Sequence, residues 1–261
     1  MNWSSWVERD SPSHWEVSNN GRAMSERPDL LRADGRPPSS LAAALWDFDG
    51  TLADTEPLWI EAEFELIGQL GGEWTIEHAH QLVGNSLIDS AIYILNTIGR
   101  RDLAPAWMVD QLLSYVVNRL QDGPIPWRPG AIELLDSFAA AGVPCALVSA
   151  SYRVLLDAAL VRLPVGTFQV SVAGDEVERG KPHPEPYERA CQVLGVDARD
   201  CVVFEDSETG ARSGNAAGAF VIAVPNRVDI PAAPRRLQIG SLADLDAARV
   251  ATLLEQADAQ P

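Results

Sequence analysis

Leu41-Ala42-Ala43-Ala44-Leu45-Trp46-Asp47-Phe48-Asp49-Gly50-Thr51-Leu52 is an apolar run that ends in two acids and a turn. The apolar residues read as a buried strand. Side chains two residues apart share a face, so Asp47 and Asp49 leave the strand end on the same side, and Gly50-Thr51 then turns the chain sharply. Two like charges held that close repel unless a cation or a shared proton offsets them. Taken alone, Asp49-Gly50 is also ordinary turn chemistry with an accidental acid before it.

Three further segments, each at a strand end or helix start, carry the groups that a phosphate-handling site needs beside such a pair. Gly142 to Val148 reads as a buried strand, and Ser149-Ala150-Ser151 follows it just before a helix containing Val154, Leu155 and Leu156. A hydroxyl and free backbone N–H groups at such a place suit an anion, although either serine also fits as a helix N-cap. Gly180-Lys181-Pro182-His183-Pro184-Glu185-Pro186-Tyr187 holds three prolines, which stiffen a loop presenting one lysine. Lys181 suits the neutralisation of a carboxylate pair or a phosphate, and it also fits a solvated surface position; His183 reads as a turn histidine bonded locally. Cys201-Val-Val-Phe-Glu205-Asp206-Ser207 is again a strand ending in adjacent acids, whose hard oxygen ligands suit Mg²⁺.

In this order and spacing the four segments resemble the haloacid dehalogenase-like hydrolase superfamily, and within it the β-phosphoglucomutase and sugar-phosphatase branch. The resemblance covers residues 41 to about 225, and Asp54 to Trp59 is similar to the start of the mobile cap in hexitol- and deoxyhexose-phosphate phosphatases. It implies that Asp47 is the nucleophile, forming an aspartyl-phosphate, and that Asp49 is the general acid/base. It further implies that Asp47, the backbone carbonyl of Asp49, Glu205 and Asp206 hold Mg²⁺. Thr51, Ser149, the N–H of Ala150 and Lys181 are implied to bind the transferring phosphoryl oxygens. Asp49 directs the chemistry to phosphate esters, because an acid there serves a poor oxygen leaving group. Trp59 stands where the sugar-phosphate mutases carry a cap histidine, and Leu82-Val-Gly-Asn-Ser86 lacks the arginine those enzymes use for a second phosphate. Both departures favour hydrolysis of a monophosphate over its transfer. Trp59 also fits an apolar cap position without a substrate role. A sugar-phosphate mutase and a non-catalytic phosphometabolite-binding protein are the alternative readings. Trp59, Gly84, Asn85 and Ser86 are the cap positions expected to face the leaving group, and they carry no transferable code for its identity.

The chain has 261 residues, 46% hydrophobic and 22% charged, with enough apolar material for a core and a modest second domain. A net charge of −17 argues against nonspecific nucleic-acid binding and against an anionic membrane surface. The expected partner is a small phosphorylated metabolite, the expected state a monomer, and the expected location the cytoplasm. Cys145, Cys191 and Cys201 read as small core residues, and no Cys/His spacing points to zinc.

From Gly130 onward, helices and buried strands alternate: Ala131 to Ala141, Val143 to Val148, Val154 to Leu160, Phe168 to Val172, Pro186 to Leu194, Cys201 to Phe204, Ala211 to Ala217 and Ala219 to Val224. Such alternation implies an α/β fold with a doubly wound, Rossmann-like parallel sheet and a site at the carboxyl ends of its strands. Between the first strand and residue 128 the period is helical: Val109, Leu112, Leu113, Val116, Val117 and Leu120 trace one face, and Trp59 to Leu70 and Ile88 to Ile98 form two further helices. The expected organisation is a core of residues 41–54 and 129–261, an all-helical cap at 55–128 inserted after the first strand, and a disordered arm at 1–40. Met24 is an alternative start, and a last helix is expected around Leu242, Leu245 and Val250.

Overall fold

The computed structural model describes residues 41–82, 85–226 and 229–259. The expectations for the arm at 1–40, for Met24 and for Gly84 lie outside them. Six parallel strands form one sheet: β1 Ala43–Trp46, β2 Cys145–Val148, β3 Val170–Val172, β4 Cys201–Glu205, β5 Phe220–Ala223 and β6 Arg236–Gln238. Their order is β3-β2-β1-β4-β5-β6. From the central β1 the described chain runs outward through β2 and β3 and returns to the other side of β1, so the direction of winding reverses between β1 and β4. A crevice at the carboxyl ends of the strands follows from that reversal.

β1 is buried on both faces, as a central parallel strand must be. Ala44 and Trp46 point into one apolar cluster, where the Trp46 ring stacks on Phe204 at 4.4 Å and meets Phe138 edge-on at 6.2 Å. Ala43 and Leu45 point into the other, beside Tyr187 and Val203. The alternation continues past the strand end and sends the side chain of Asp47 toward the Tyr187 side.

Four helices lie between β1 and β2 before the first core helix: α1 Glu56–Gln69, α2 Ile76–His80, α3 Leu87–Thr97 and α4 Pro105–Asp122. All six apolar residues expected on the α4 face are buried. This helical insertion is joined to the sheet by two crossing segments. Asp54 N–H donates to Pro126 O at 2.8 Å, and Arg128 N–H donates to Leu52 O at 2.9 Å. The Asn226 amide adds a tie, accepting from Arg128 Nη1 at 2.6 Å and donating to Asp54 Oδ1 at 3.1 Å.

Among the described residues the later α-helices are α5 Ala131–Ala141, α6 Arg153–Leu160, α7 Glu185–Leu194, α8 Glu208–Ala216 and α9 Ala247–Asp258. α7 and α8 pack on the Tyr187 side of the sheet, and α5, α6 and α9 on the Trp46 side. The last helix begins later than the sequence pattern implies: Ser241 caps a single 3₁₀ turn at Leu242–Asp244, and Asp246 caps α9 by accepting from Arg249 N–H at 2.7 Å. Leu242 and Val250 are buried, but Leu245 sits between the two helical pieces.

Candidate active site

Asp47, Asp49, Ser149, Lys181, Glu205 and Asp206 all meet at the carboxyl ends of β1, β2 and β4, in the wall of one cavity of about 330 Å³. Lys181 is at its centre. Its Nζ donates to Asp47 Oδ1 at 2.8 Å, to Glu205 Oε1 at 2.6 Å and to the carbonyl of Val148 at 2.9 Å, and it lies 4.9 Å above the Tyr187 ring. The solvated-surface reading of Lys181 does not hold, because its side chain is 5% exposed. Ion pairs at such burial stand only when their remaining hydrogen bonds are made. Glu205 meets that condition: Tyr187 donates to Oε1 at 2.9 Å, and Oε2 accepts from the Ser207 hydroxyl at 3.1 Å and from the Ser207 N–H at 3.3 Å.

Glycine is required at two places by this packing. A Cβ on Gly210 would lie 1.7 Å from Glu205 Oε1, and one on Gly50 would lie 2.0 Å from Asp206 Oδ2; Gly50 also has φ +87°. Both glycines let backbone approach a carboxylate.

Four donors converge on Asp49. Thr55 Oγ1 at 2.5 Å and the Trp59 indole Nε1 at 3.1 Å reach its Oδ1, while Ser151 Oγ at 2.7 Å and Ser149 Oγ at 3.3 Å reach its Oδ2. Trp59 therefore contacts the core acid directly from the helical insertion. An indole offers a donor and no acceptor, so Trp59 orients Asp49 but cannot carry a proton to or from it. Neither serine caps α6: Tyr152 holds that position, and Ser149 Oγ accepts from Ser151 N–H at 2.9 Å. Ala150 is exposed and lines the cavity. Thr51 is buried and does not line it; its hydroxyl donates to Asp206 Oδ1 at 3.3 Å. Asn85 lines the rim and donates to Gln81 O at 2.9 Å, and His183 Nδ1 accepts from Glu185 N–H at 3.1 Å.

Negative charge exceeds positive in this corner. Asp47, Glu205 and Asp206 each offer one oxygen, all within 4.8 Å of one another, against the single ammonium of Lys181. Burial pushes the Asp47 carboxyl up to about 7 despite Lys181, with Glu205 and Asp49 adding repulsion. Burial, then the charges of Asp47 and Glu205, raises Asp206 well above the usual carboxylate range. Such a cluster of hard oxygen donors fits a divalent cation of the Mg²⁺ class.

Thr55, Ser151, Tyr187 and Ser207 were not singled out as site residues by the sequence pattern, nor was Glu63 of α1. Glu63 is buried in the cavity wall, and its Oε2 accepts from the Trp74 indole Nε1 at 3.0 Å. Burial raises its carboxyl from 4.5 to about 7, opposed by the Trp74 hydrogen bond and assisted by Glu56. Its pKa is thus higher folded than unfolded, so stability falls as pH rises between those two values and levels off above them. Glu63→Gln, which cannot ionise, is expected to raise thermal stability at pH 8 by about 3 kcal/mol or less, with the gain fading by pH 4.5. Paired melting curves across that range check this; a gain independent of pH would contradict it.

Residues 44–224 match the family model of the haloacid dehalogenase-like hydrolases. The chain is similar to the bifunctional riboflavin kinase/FMN phosphatase of Arabidopsis thaliana, 33% identical over 190 residues; the match covers 71% of this chain and 48% of that protein, about half its length. It is also similar to hexitol phosphatase A of Escherichia coli (strain K12), 32% identical over 187 residues, covering 72% of this chain and 84% of that protein. Among solved structures, CbbY from Rhodobacter sphaeroides in complex with phosphate superimposes with a TM-score of 0.70 at 28% identity, covering 78% of this chain and 96% of the other.

Proposed function

The chain belongs to the haloacid dehalogenase-like hydrolases, and on that premise we propose that it is a Mg²⁺-dependent phosphatase that hydrolyses a small sugar or polyol phosphate through an aspartyl-phosphate. The observation that carries this reading is the convergence of Asp47 and Asp49 on one cavity with buried Glu205 and Asp206 and the buried side chain of Lys181. Similarity to a hexitol phosphatase supports the class of substrate.

Asp47 attacks phosphorus with a carboxylate oxygen while the bond from phosphorus to the ester oxygen breaks, and Asp49 gives its proton to the departing alkoxide. Asp49 then takes a proton from the water that attacks the aspartyl-phosphate, which releases phosphate and restores Asp47. Thr55, Ser151 and Trp59 hold Asp49 in place for both transfers. Lys181, Ser149 and the N–H of Ala150 bind phosphoryl oxygens, where electrostatic stabilisation contributes most. Asp47, Glu205, Asp206 and the Asp49 carbonyl would hold Mg²⁺, which would supply positive charge to offset the repulsion between nucleophile and phosphate. Thr51 acts one step back, orienting Asp206. Asn85 and Trp59 belong to the wall that meets the leaving group.

Residues 55–128 act as a cap that closes over the core of 41–54 and 129–261, and the two connecting segments, paired through an antiparallel bridge between Ala53 and Trp127, serve as its hinge. A mutase has to hold a second phosphate, and among the described lining residues Lys181 is the sole cation, already shared by Asp47 and Glu205. That disfavours transfer between sugars. The test is phosphate release from glucitol 6-phosphate, mannitol 1-phosphate, fructose 1-phosphate, glycerol 3-phosphate and ethyl phosphate, with Mg²⁺ and with EDTA. Release is expected with Mg²⁺ and a loss of at least ~100-fold with EDTA. No release from any compound would sink the hydrolase reading.

A further inference from the structure

We propose that Glu63 is a specificity-determining residue, which accepts a hydrogen bond from a hydroxyl of the leaving group and turns away leaving groups bearing a second anion; the inference rests on the phosphatase reading above. On α1, Glu56, Trp59 and Glu63 recur at helical spacing and all line the cavity. Trp59 fixes the register of that face, because its indole contacts Asp49, the residue that meets the ester oxygen. Glu63 lies four residues further on, a rise of about 6 Å along the helix, which is the span of a few carbon atoms beyond the ester.

Only half of the Glu63 carboxylate is satisfied. It is 5% exposed, Trp74 donates to Oε2, and Oε1 receives no hydrogen bond from the described residues. That oxygen belongs to a residue of the cavity wall, where a substrate hydroxyl is a donor of the right kind. Trp74 is itself held by His78 at 4.9 Å and Tyr93 at 6.1 Å between ring centroids, so the carboxylate has a fixed orientation. The same wall carries Glu56, and no arginine or second lysine lines the cavity among the described residues. A phosphate or carboxylate on the leaving group would face carboxylates and find no second cation, while a polyol hydroxyl can donate to Glu63 Oε1. A hydroxyl-free alcohol gains nothing from Glu63. Sites built to pair with a polar group discriminate most strongly against ligands that lack it.

The experiment compares kcat/KM for glucitol 6-phosphate and ethyl phosphate in wild-type enzyme, Glu63→Ala and Glu63→Gln. Glu63→Ala is expected to lose about 10- to 100-fold more on glucitol 6-phosphate than on ethyl phosphate, and Glu63→Gln, which keeps an acceptor oxygen, to recover most of that ratio. Equal losses on the two substrates in both variants, or a ratio that does not move, overturn the assignment of Glu63 while the phosphatase reading stands. Wild-type enzyme that hydrolyses another ester of the panel but not glucitol 6-phosphate overturns this inference alone, and wild-type enzyme that releases phosphate from none of the five overturns the phosphatase reading and this inference with it.

Discussion

Asp47→Asn is expected to lower phosphate release by at least ~10⁴-fold, because the variant has no carboxylate to form the covalent intermediate. The loss should come without unfolding. Asparagine has the same shape, and Lys181 keeps its hydrogen bonds to Glu205 and to the Val148 carbonyl. Burial pushes the native Asp47 carboxyl up to about 7. The neutral amide escapes that penalty, so in the absence of metal the variant should melt no lower than the wild type at pH 8. An inactive protein of undiminished stability separates the loss of a nucleophile from the loss of a fold. Residual activity above about 1% would remove Asp47 from the covalent role.

The carboxyl ends of β1, β2 and β4 were legible because each combines two signals: an uninterrupted apolar run, and polar groups where it stops. A central parallel strand has no solvated face on which to place Asp47, Ser149 or Glu205 by accident. Lys181 was legible as a lone cation in a stiff loop, but nothing in the loop shows that it is buried. That depends on Tyr187 and Glu205, which are brought beside it by α7 and β4.

Side chains that act through distant partners left weaker traces. Ser151 and Asp49 are 102 positions apart, and only the pairing of β1 with β2 aligns their strand ends. Thr51 belongs to the first motif, yet its hydroxyl turns to Asp206, because Gly50 brings this turn against that carboxylate. β6 has three residues, none fully buried, and follows a stretch rich in Pro and Ala, so neither alternation nor an apolar run marks it. Glu63 did leave a readable sign. It stands four residues after Trp59 and four before Ile67, an acid inside the apolar stripe of α1.

Asp49→Asn should separate the two halves of the reaction by leaving group. With a polyol phosphate the departing alkoxide needs a proton, so losing the acid should slow formation of the aspartyl-phosphate by about 10²- to 10⁴-fold. With p-nitrophenyl phosphate the leaving group departs as a stable anion and the first step needs little help. The second step still needs a base to activate water. Stopped-flow measurement of the variant should therefore show a burst of p-nitrophenol, approaching one equivalent per enzyme, followed by slow turnover; a polyol phosphate should give no burst. Thr55, Ser149, Ser151 and Trp59 all donate to Asp49, and an asparagine can accept through only one side-chain atom. Loss of that geometry alone would slow both substrates alike and leave no burst, and this pattern would reduce Asp49 to a positioning role. A burst confined to the good leaving group is produced only if the missing carboxyl is both the acid of the first step and the base of the second.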